Sequence, residues 1–234
     1  MLSMMKKVHN AEGVQLIEAV YNRDHGKLRH LLLQGVGYIN KQVDGSGYYE
    51  PALHVAIRQD DEKSFVLLLG CSQLDLSAKN DPSVFEGVNP LTLCVFLDRP
   101  FMFKQLLKAG ASVHGVDKDG APTIMYAASK DRVDFAKELI GRGADVNAKN
   151  NDRETSLYFA KMHHYQEMQE LLLKHGAVDD EDEDAEKDDI LAVGGKRKRS
   201  DVEEFASGVR DRMRRDENAA CGFYDDDSSG DEEE

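Results

Sequence analysis

The chain has 234 residues and a formal net charge of −14, with no Trp, three Cys and five Pro. An odd number of cysteines (Cys71, Cys94, Cys221), none in Cys-x-x-Cys spacing, argues against a disulfide framework or a thiolate metal site and points to a reducing compartment. No apolar run reaches membrane-spanning length and residues 1–10 lack the hydrophobic core of a signal peptide, so neither membrane insertion nor export is expected.

From Leu16 onward one pattern recurs: an apolar starting residue, a small residue three positions on, an apolar doublet at fifteen and sixteen, and a turn residue at nineteen. In chain order the first copy is Leu16, Ala19, Leu31-Leu32 and Gly35, and the second is Leu53, Ala56, Leu68-Leu69 and Ser72. The third is Leu91, Cys94, Leu106-Leu107 and Gly110, the fourth Ile124, Ala127, Leu139-Ile140 and Gly143, and the fifth Leu157, Ala160, Leu172-Leu173 and Gly176. The starting residues are 37, 38, 33 and 33 positions apart. Within a copy this spacing predicts two short antiparallel helices. The first keeps small residues where the second approaches, the second sends its doublet inward, and the glycine takes the left-handed position that ends it. One such pair cannot bury its apolar face alone, so the copies must stack.

Four stretches carry a family resemblance: Pro51-Ala52-Leu53-His54-Val55-Ala56, Gly87-Val88-Asn89-Pro90-Leu91, Leu106-Leu107-Lys108-Ala109-Gly110-Ala111, and Gly143-Ala144-Asp145-Val146-Asn147. They resemble the ankyrin repeat, over roughly residues 9–178. The resemblance implies an all-α repeat solenoid of stacked helix-turn-helix repeats with β-hairpin fingers, divided at about 9–41, 42–79, 80–114, 115–147 and 148–178. In two copies Pro precedes the starting residue by two rather than one (Pro51, Pro122), and Arg153 replaces the expected turn glycine. The extra residues of the first two intervals fall between helix pairs, so Gln42–Tyr49 and Asn80–Glu86 are expected to form longer fingers.

Residues 179–234 differ in kind. They hold 22 Asp and Glu against 9 Lys and Arg, a net of −13, so almost all of the acidity lies here. The run Asp179–Asp189 and the final Asp225–Glu234 block cannot bury enough apolar surface to offset their ordering entropy, and a disordered tail is expected. Between the acidic blocks, Lys196, Arg197, Lys198 and Arg199 are separated by ten residues from Arg210, Arg212, Arg214 and Arg215. The two clusters resemble a bipartite nuclear localisation signal that an import receptor would take as an extended chain. The same stretch also reads as a helix, with a Ser200–Glu203 capping box and a Val202, Phe205, Val209, Met213 stripe. Ser200, Ser228 and Ser229 have acids three positions on and are phosphorylation candidates resembling acidophilic kinase sites.

No stretch carries catalytic chemistry. The eight histidines are scattered, and His163-His164 are adjacent rather than a helical turn apart, so they make no metal pair. His54 sits at the ankyrin family's structural histidine, whose ring bonds to neighbouring backbone. No phosphate loop, nucleophile elbow or carboxylate pair is present. No catalytic residue, cofactor or metal ligand is therefore assigned.

Recognition through a surface is what remains. The resemblance places partners along the fingers and first helices, at six, five and three positions before each starting residue and five and six after it. Aromatic and basic anchors at those stations are Tyr48, Arg58, Phe85 and Phe96, joined by Lys118 and Lys130. Phe85, Phe96 and Leu97 equally suit packing beneath the long finger. Three functional readings follow: an adaptor of nucleus and cytoplasm, an acidic-tailed escort for a basic nucleic-acid-binding protein, or an inhibitor resembling those of NF-kappaB. For the last, the chain has five copies rather than six and no Asp-Ser-Gly-x-x-Ser motif, only Asp227-Ser228-Ser229-Gly230. Direct nucleic-acid binding is disfavoured by the net charge of −14.

Overall fold

The computed structural model describes residues 15–35, 39–40, 50–80 and 87–179. These form five helix pairs: α1 (15–21) with α2 (His25–Leu33), α3 (Ala52–Arg58) with α4 (Glu62–Leu69), α5 (Pro90–Phe96) with α6 (Pro100–Lys108), α7 (Thr123–Ser129) with α8 (Val133–Gly141), and α9 (Ser156–Met162) with α10 (Gln166–Lys174). First helices pack on one another from copy to copy, α3 on α5, α5 on α7 and α7 on α9. The expected tail, 179–234, lies outside the described residues apart from Asp179, as do the basic clusters and the three serines.

Local chemistry sets where each helix starts. Asn89 caps α5, its carboxamide oxygen accepting from the Thr92 N–H at 2.9 Å, with Pro90 in the first turn. Thr155 caps α9 in the same way through Tyr158 N–H at 3.2 Å. Pro51 and Pro122 stand at that station before α3 and α7 and offer no side-chain cap.

The link between the two helices of a pair is the same in all five copies. The seventh residue after the starting position is left-handed: Arg23 (φ 54°), Asp60 (55°), Asp98 (57°), Asp131 (53°) and His164 (59°). The next residue's N–H returns to the carbonyl of the small residue, at 2.8 Å for Asp24 to Ala19, Arg99 to Cys94 and Arg132 to Ala127 and at 2.9 Å for Asp61 to Ala56 and Tyr165 to Ala160. This is a Schellman closure made without glycine. Second helices end as the spacing predicts, with Gly35, Gly110, Gly143 and Gly176 at φ between 83° and 91°; Ser72 is not left-handed.

The core runs along the stack. Leu16, Leu53, Leu91, Ile124 and Leu157 are buried, as are Ala19, Ala56, Cys94, Ala127 and Ala160. The doublets do not point inward as pairs. Leu68, Leu139 and Leu172 are buried whereas Leu69 and Ile140 are half-buried and Leu173 is 48% exposed; only Leu106-Leu107 buries both members, and in the first copy Leu28 takes the core place instead. Neighbours on a helix lie about 100° apart, so one residue of a doublet must turn away from the core. Phe103 and Phe135 meet edge to face at 4.7 Å between second helices of adjacent copies.

Polar clips join the copies along both edges. Asn147 donates from Nδ2 to the Gly176 carbonyl at 2.9 Å and accepts the Val178 N–H at 2.8 Å. Asn40 makes the equivalent pair with the Gln73 carbonyl and the Asp75 N–H, each at 2.6 Å. On the opposite edge Arg99 meets Asp60 at 3.3 Å and Arg132 meets Asp98 at 2.9 Å, while His25 reaches Asp61 at 3.0 Å.

The fingers differ from the hairpins expected. Among the described residues they contain no strand, only an isolated antiparallel bridge between Val116 and Pro122. Asp117 and Asn150 close their loops with side-chain acceptors over four residues, which leaves no length for a ladder. The two longer fingers lie outside the described residues except at Asn80.

Candidate partner-binding face

The finger loops and first helices share one face, and its fingers are built by two residues at the same station. Asp117 Oδ1 accepts from the Asp119 and Ala121 N–H groups, both at 2.8 Å, and Oδ2 accepts from the Tyr126 hydroxyl at 2.6 Å. Asn150 Oδ1 accepts from the N–H groups of Asp152 at 3.1 Å and Glu154 at 2.8 Å. Lys118 and Asp119 on one tip, and Asn151 and Asp152 on the other, are thereby presented to solvent from fixed turns.

The predicted anchors occupy varied settings. Arg58 places Nε and Nη2 on the same oxygen of Glu50, at 3.1 and 3.0 Å. Glu50 is buried; desolvation raises its carboxyl above the usual range, and the Arg58 charge and hydrogen bond pull the other way. Phe96 is buried and lies edge-on to Tyr126 at 6.4 Å between centroids, while the Lys130 ammonium stands 4.6 Å above its ring. Phe96, Tyr126 and Lys130 thus form one cluster across the third and fourth copies, tied to the finger through Asp117. Lys118 is exposed. Tyr48 and Phe85 lie outside the described residues.

One set of stations is corrected. The residue three before each starting position was expected to be exposed, but Glu50 and Val88 are buried and Ala121 and Glu154 half-buried. Here the chain returns from the finger to the helix, and the Val88 carbonyl is taken up by the His54 ring, Nε2 donating at 3.0 Å. Sequence reasoning missed Asp117 and Tyr126, and took Glu50 as an exposed position on this face. For Asp117 a signal existed: it stands seven before Ile124 as Asn150 stands seven before Leu157.

The remaining chemistry of the stack is muted. His54 is fully buried, and desolvation lowers its pKa to about 4 despite the bond to Val88. Burial pushes the Cys94 thiol well above its usual range and Cys71 upward less strongly. Among the described residues no group of three His, Cys, Asp or Glu is placed to hold a metal, and no helix is long and apolar enough to cross a membrane.

Paired helices with left-handed links, small residues at the contact and turn-built fingers define a helical repeat solenoid of the interaction-module class. The description "Ankyrin repeats (3 copies)" matches residues 91–184. Residues 91–184 are thus ankyrin repeats, and such repeats are a protein-protein interaction module. Neurogenic locus notch homolog protein 1 of Xenopus laevis is 34% identical over 108 residues, which is 46% of this chain and 4% of that protein. The Homo sapiens protein of the same name is 32% identical over 108 residues, with the same shares. Inversin of Gallus gallus is 34% identical over 133 residues, 56% of this chain and 12% of Inversin. The chain therefore spans only a small part of the length of the relatives it matches.

Proposed function

We propose that the chain is a non-catalytic adaptor of nucleus and cytoplasm that holds a protein partner on the finger and first-helix face. The observation that carries this is the construction of the fingers: Asp117 and Asn150 spend their side chains on fixing turns whose tips, Lys118, Asp119, Asn151 and Asp152, point to solvent. Turns held rigid in this way suit recognition, since rigidity lowers the entropy lost on binding. Arg58 and Lys130 border the same face, and Phe96 sets the position of Lys130.

In this reading the clusters at 196–199 and 210–215 address the protein to an import receptor, and phosphorylation of Ser200 would add negative charge next to the first cluster. A second reading, escort of a basic protein, is favoured by the −13 carried by residues 179–234. An inhibitor of NF-kappaB type has no comparable support. Affinity capture with the full chain, the Lys118→Glu/Asp119→Lys variant and a variant with the eight clustered basic residues changed to Ala tests these assignments. The adaptor reading expects finger-tip substitution to release clients and the cluster variant to lose nuclear accumulation. Clients insensitive to the tips, whose affinity instead falls steeply with salt, indicate the escort reading.

A further inference from the structure

On the edge where first helices turn into second helices, charge closes every junction between copies except one. Arg99 meets Asp60 at 3.3 Å and Arg132 meets Asp98 at 2.9 Å. In both, the acid in the left-handed link of one copy takes the arginine that follows the link of the next. The first junction reaches the same end with other residues: His25 meets Asp61 at 3.0 Å, and Arg23 Nη2 donates to the Gln59 carbonyl at 2.6 Å.

The junction of the fourth and fifth copies keeps only half of this device. Asp131 holds the acid's place, left-handed (φ 53°) and exposed. The residue 33 positions after Arg132, where the next arginine would stand, is Tyr165. The backbone is unchanged, since the Tyr165 N–H returns to the Ala160 carbonyl as the Arg132 N–H does to that of Ala127. Among the described residues no cation pairs with Asp131. Of its chain neighbours, Lys130 stands over the Phe96 ring and Arg132 turns back to Asp98. In place of a cation the fifth copy offers a flat surface: the half-buried rings of Tyr165 and His163 stack at 5.4 Å between centroids and 27° between planes.

An acid beside stacked rings favours a guanidinium over an ammonium. The guanidinium is planar, grips a carboxylate through two N–H groups and lies flat on an aromatic face, whereas an ammonium is a hydrated point charge. We propose that Asp131, with Tyr165 and His163, is a socket for an arginine side chain of the protein partner. That arginine takes the place which Arg99 and Arg132 fill from within the chain at the two preceding junctions. The proposal rests on the partner-face reading, because Asp131 adjoins Lys130 at the border of that face.

Capped Gly-Arg-Gly and Gly-Lys-Gly peptides, titrated into the isotope-labelled full chain and followed by NMR, test the socket directly. The arginine peptide is expected to shift the amide signals of Asp131, His163 and Tyr165 saturably, with an apparent Kd at least about threefold below that of the lysine peptide. Asp131→Asn is expected to abolish the localised response, and so is Tyr165→Arg, which supplies the arginine internally. No localised shift in the parent, equal binding of the two peptides, or a response untouched by Asp131→Asn overturns the socket. A double-mutant cycle of Asp131→Asn with Tyr165→Arg in urea unfolding gives a readout without ligand. Coupling of about two- to fivefold in the folding equilibrium constant is expected, and its absence overturns the geometry. The Lys118→Glu/Asp119→Lys variant is expected to bind the arginine peptide as the parent does. Clients indifferent to the finger tips therefore count against the partner face alone, and a lost peptide response against the socket alone.

Discussion

His54 makes the stack acid-sensitive in a way that can be calculated. Its ring is fully buried and held neutral, with the pKa lowered from the ordinary 6.5 to about 4 by desolvation. A histidine whose folded pKa is depressed binds its proton more readily when unfolded. The stabilisation is therefore complete above pH 6.5 and is lost as the pH falls toward 4. With these two values the loss between pH 7.5 and pH 5 is about 2 kcal/mol, levelling near 3 kcal/mol below the folded pKa. Glu50 works in the opposite direction, because burial raises its carboxyl and the folded state takes up that proton first. Comparison with His54→Gln at both pH values cancels Glu50 and every other shared group. Urea unfolding should show the parent losing about 2 kcal/mol more than His54→Gln on acidification. Parallel pH profiles would refute the reasoning and place the ring in contact with solvent.

Other outcomes follow from the packing. Leu139→Ala and Leu172→Ala should each cost roughly 2–5 kcal/mol in chemical denaturation, whereas Leu173→Ala, across the helix from the core, should stay within about 0.5 kcal/mol of the parent. Asn147→Ala removes both clips to the last copy, so amide exchange in α10 should accelerate while α3 and α4 keep their protection, at a cost of about 1–3 kcal/mol. Arg153 holds φ at 64° where Gly87 and Gly120 occupy the same station. Arg153→Gly should therefore raise the melting temperature, by relief of about 1 kcal/mol of backbone strain.

The helix pairs, their period and their glycine ends were legible because close packing and left-handed turns admit few residue types. The left-handed link within each pair was not. Arg23, Asp60, Asp98, Asp131 and His164 share a backbone conformation but no chemistry that a pattern would detect. The doublets misled for a geometric reason, since leucine at both positions does not mean burial at both. Asn147 was visible as a family residue, yet its role as a clip depends on where the following copy places its carbonyl and amide. At the candidate face, the sequence marked Arg58 and Phe96 by type and station. That Arg58 is bound to Glu50, and that Phe96 lies under Lys130 against Tyr126, depends on contacts between positions whose separation the repeat alone does not reveal.

Lysines report on both sides of this molecule. Lys79, Lys118, Lys130 and Lys149 belong to the fingers and first helices, while Lys27, Lys104, Lys108, Lys137 and Lys174 belong to the second helices. Amine-reactive crosslinking of the full chain with a captured partner, read by mass spectrometry, distinguishes the two sets. Crosslinks concentrated on the first set are predicted if this face does the holding. Crosslinks confined to the second set would contradict it.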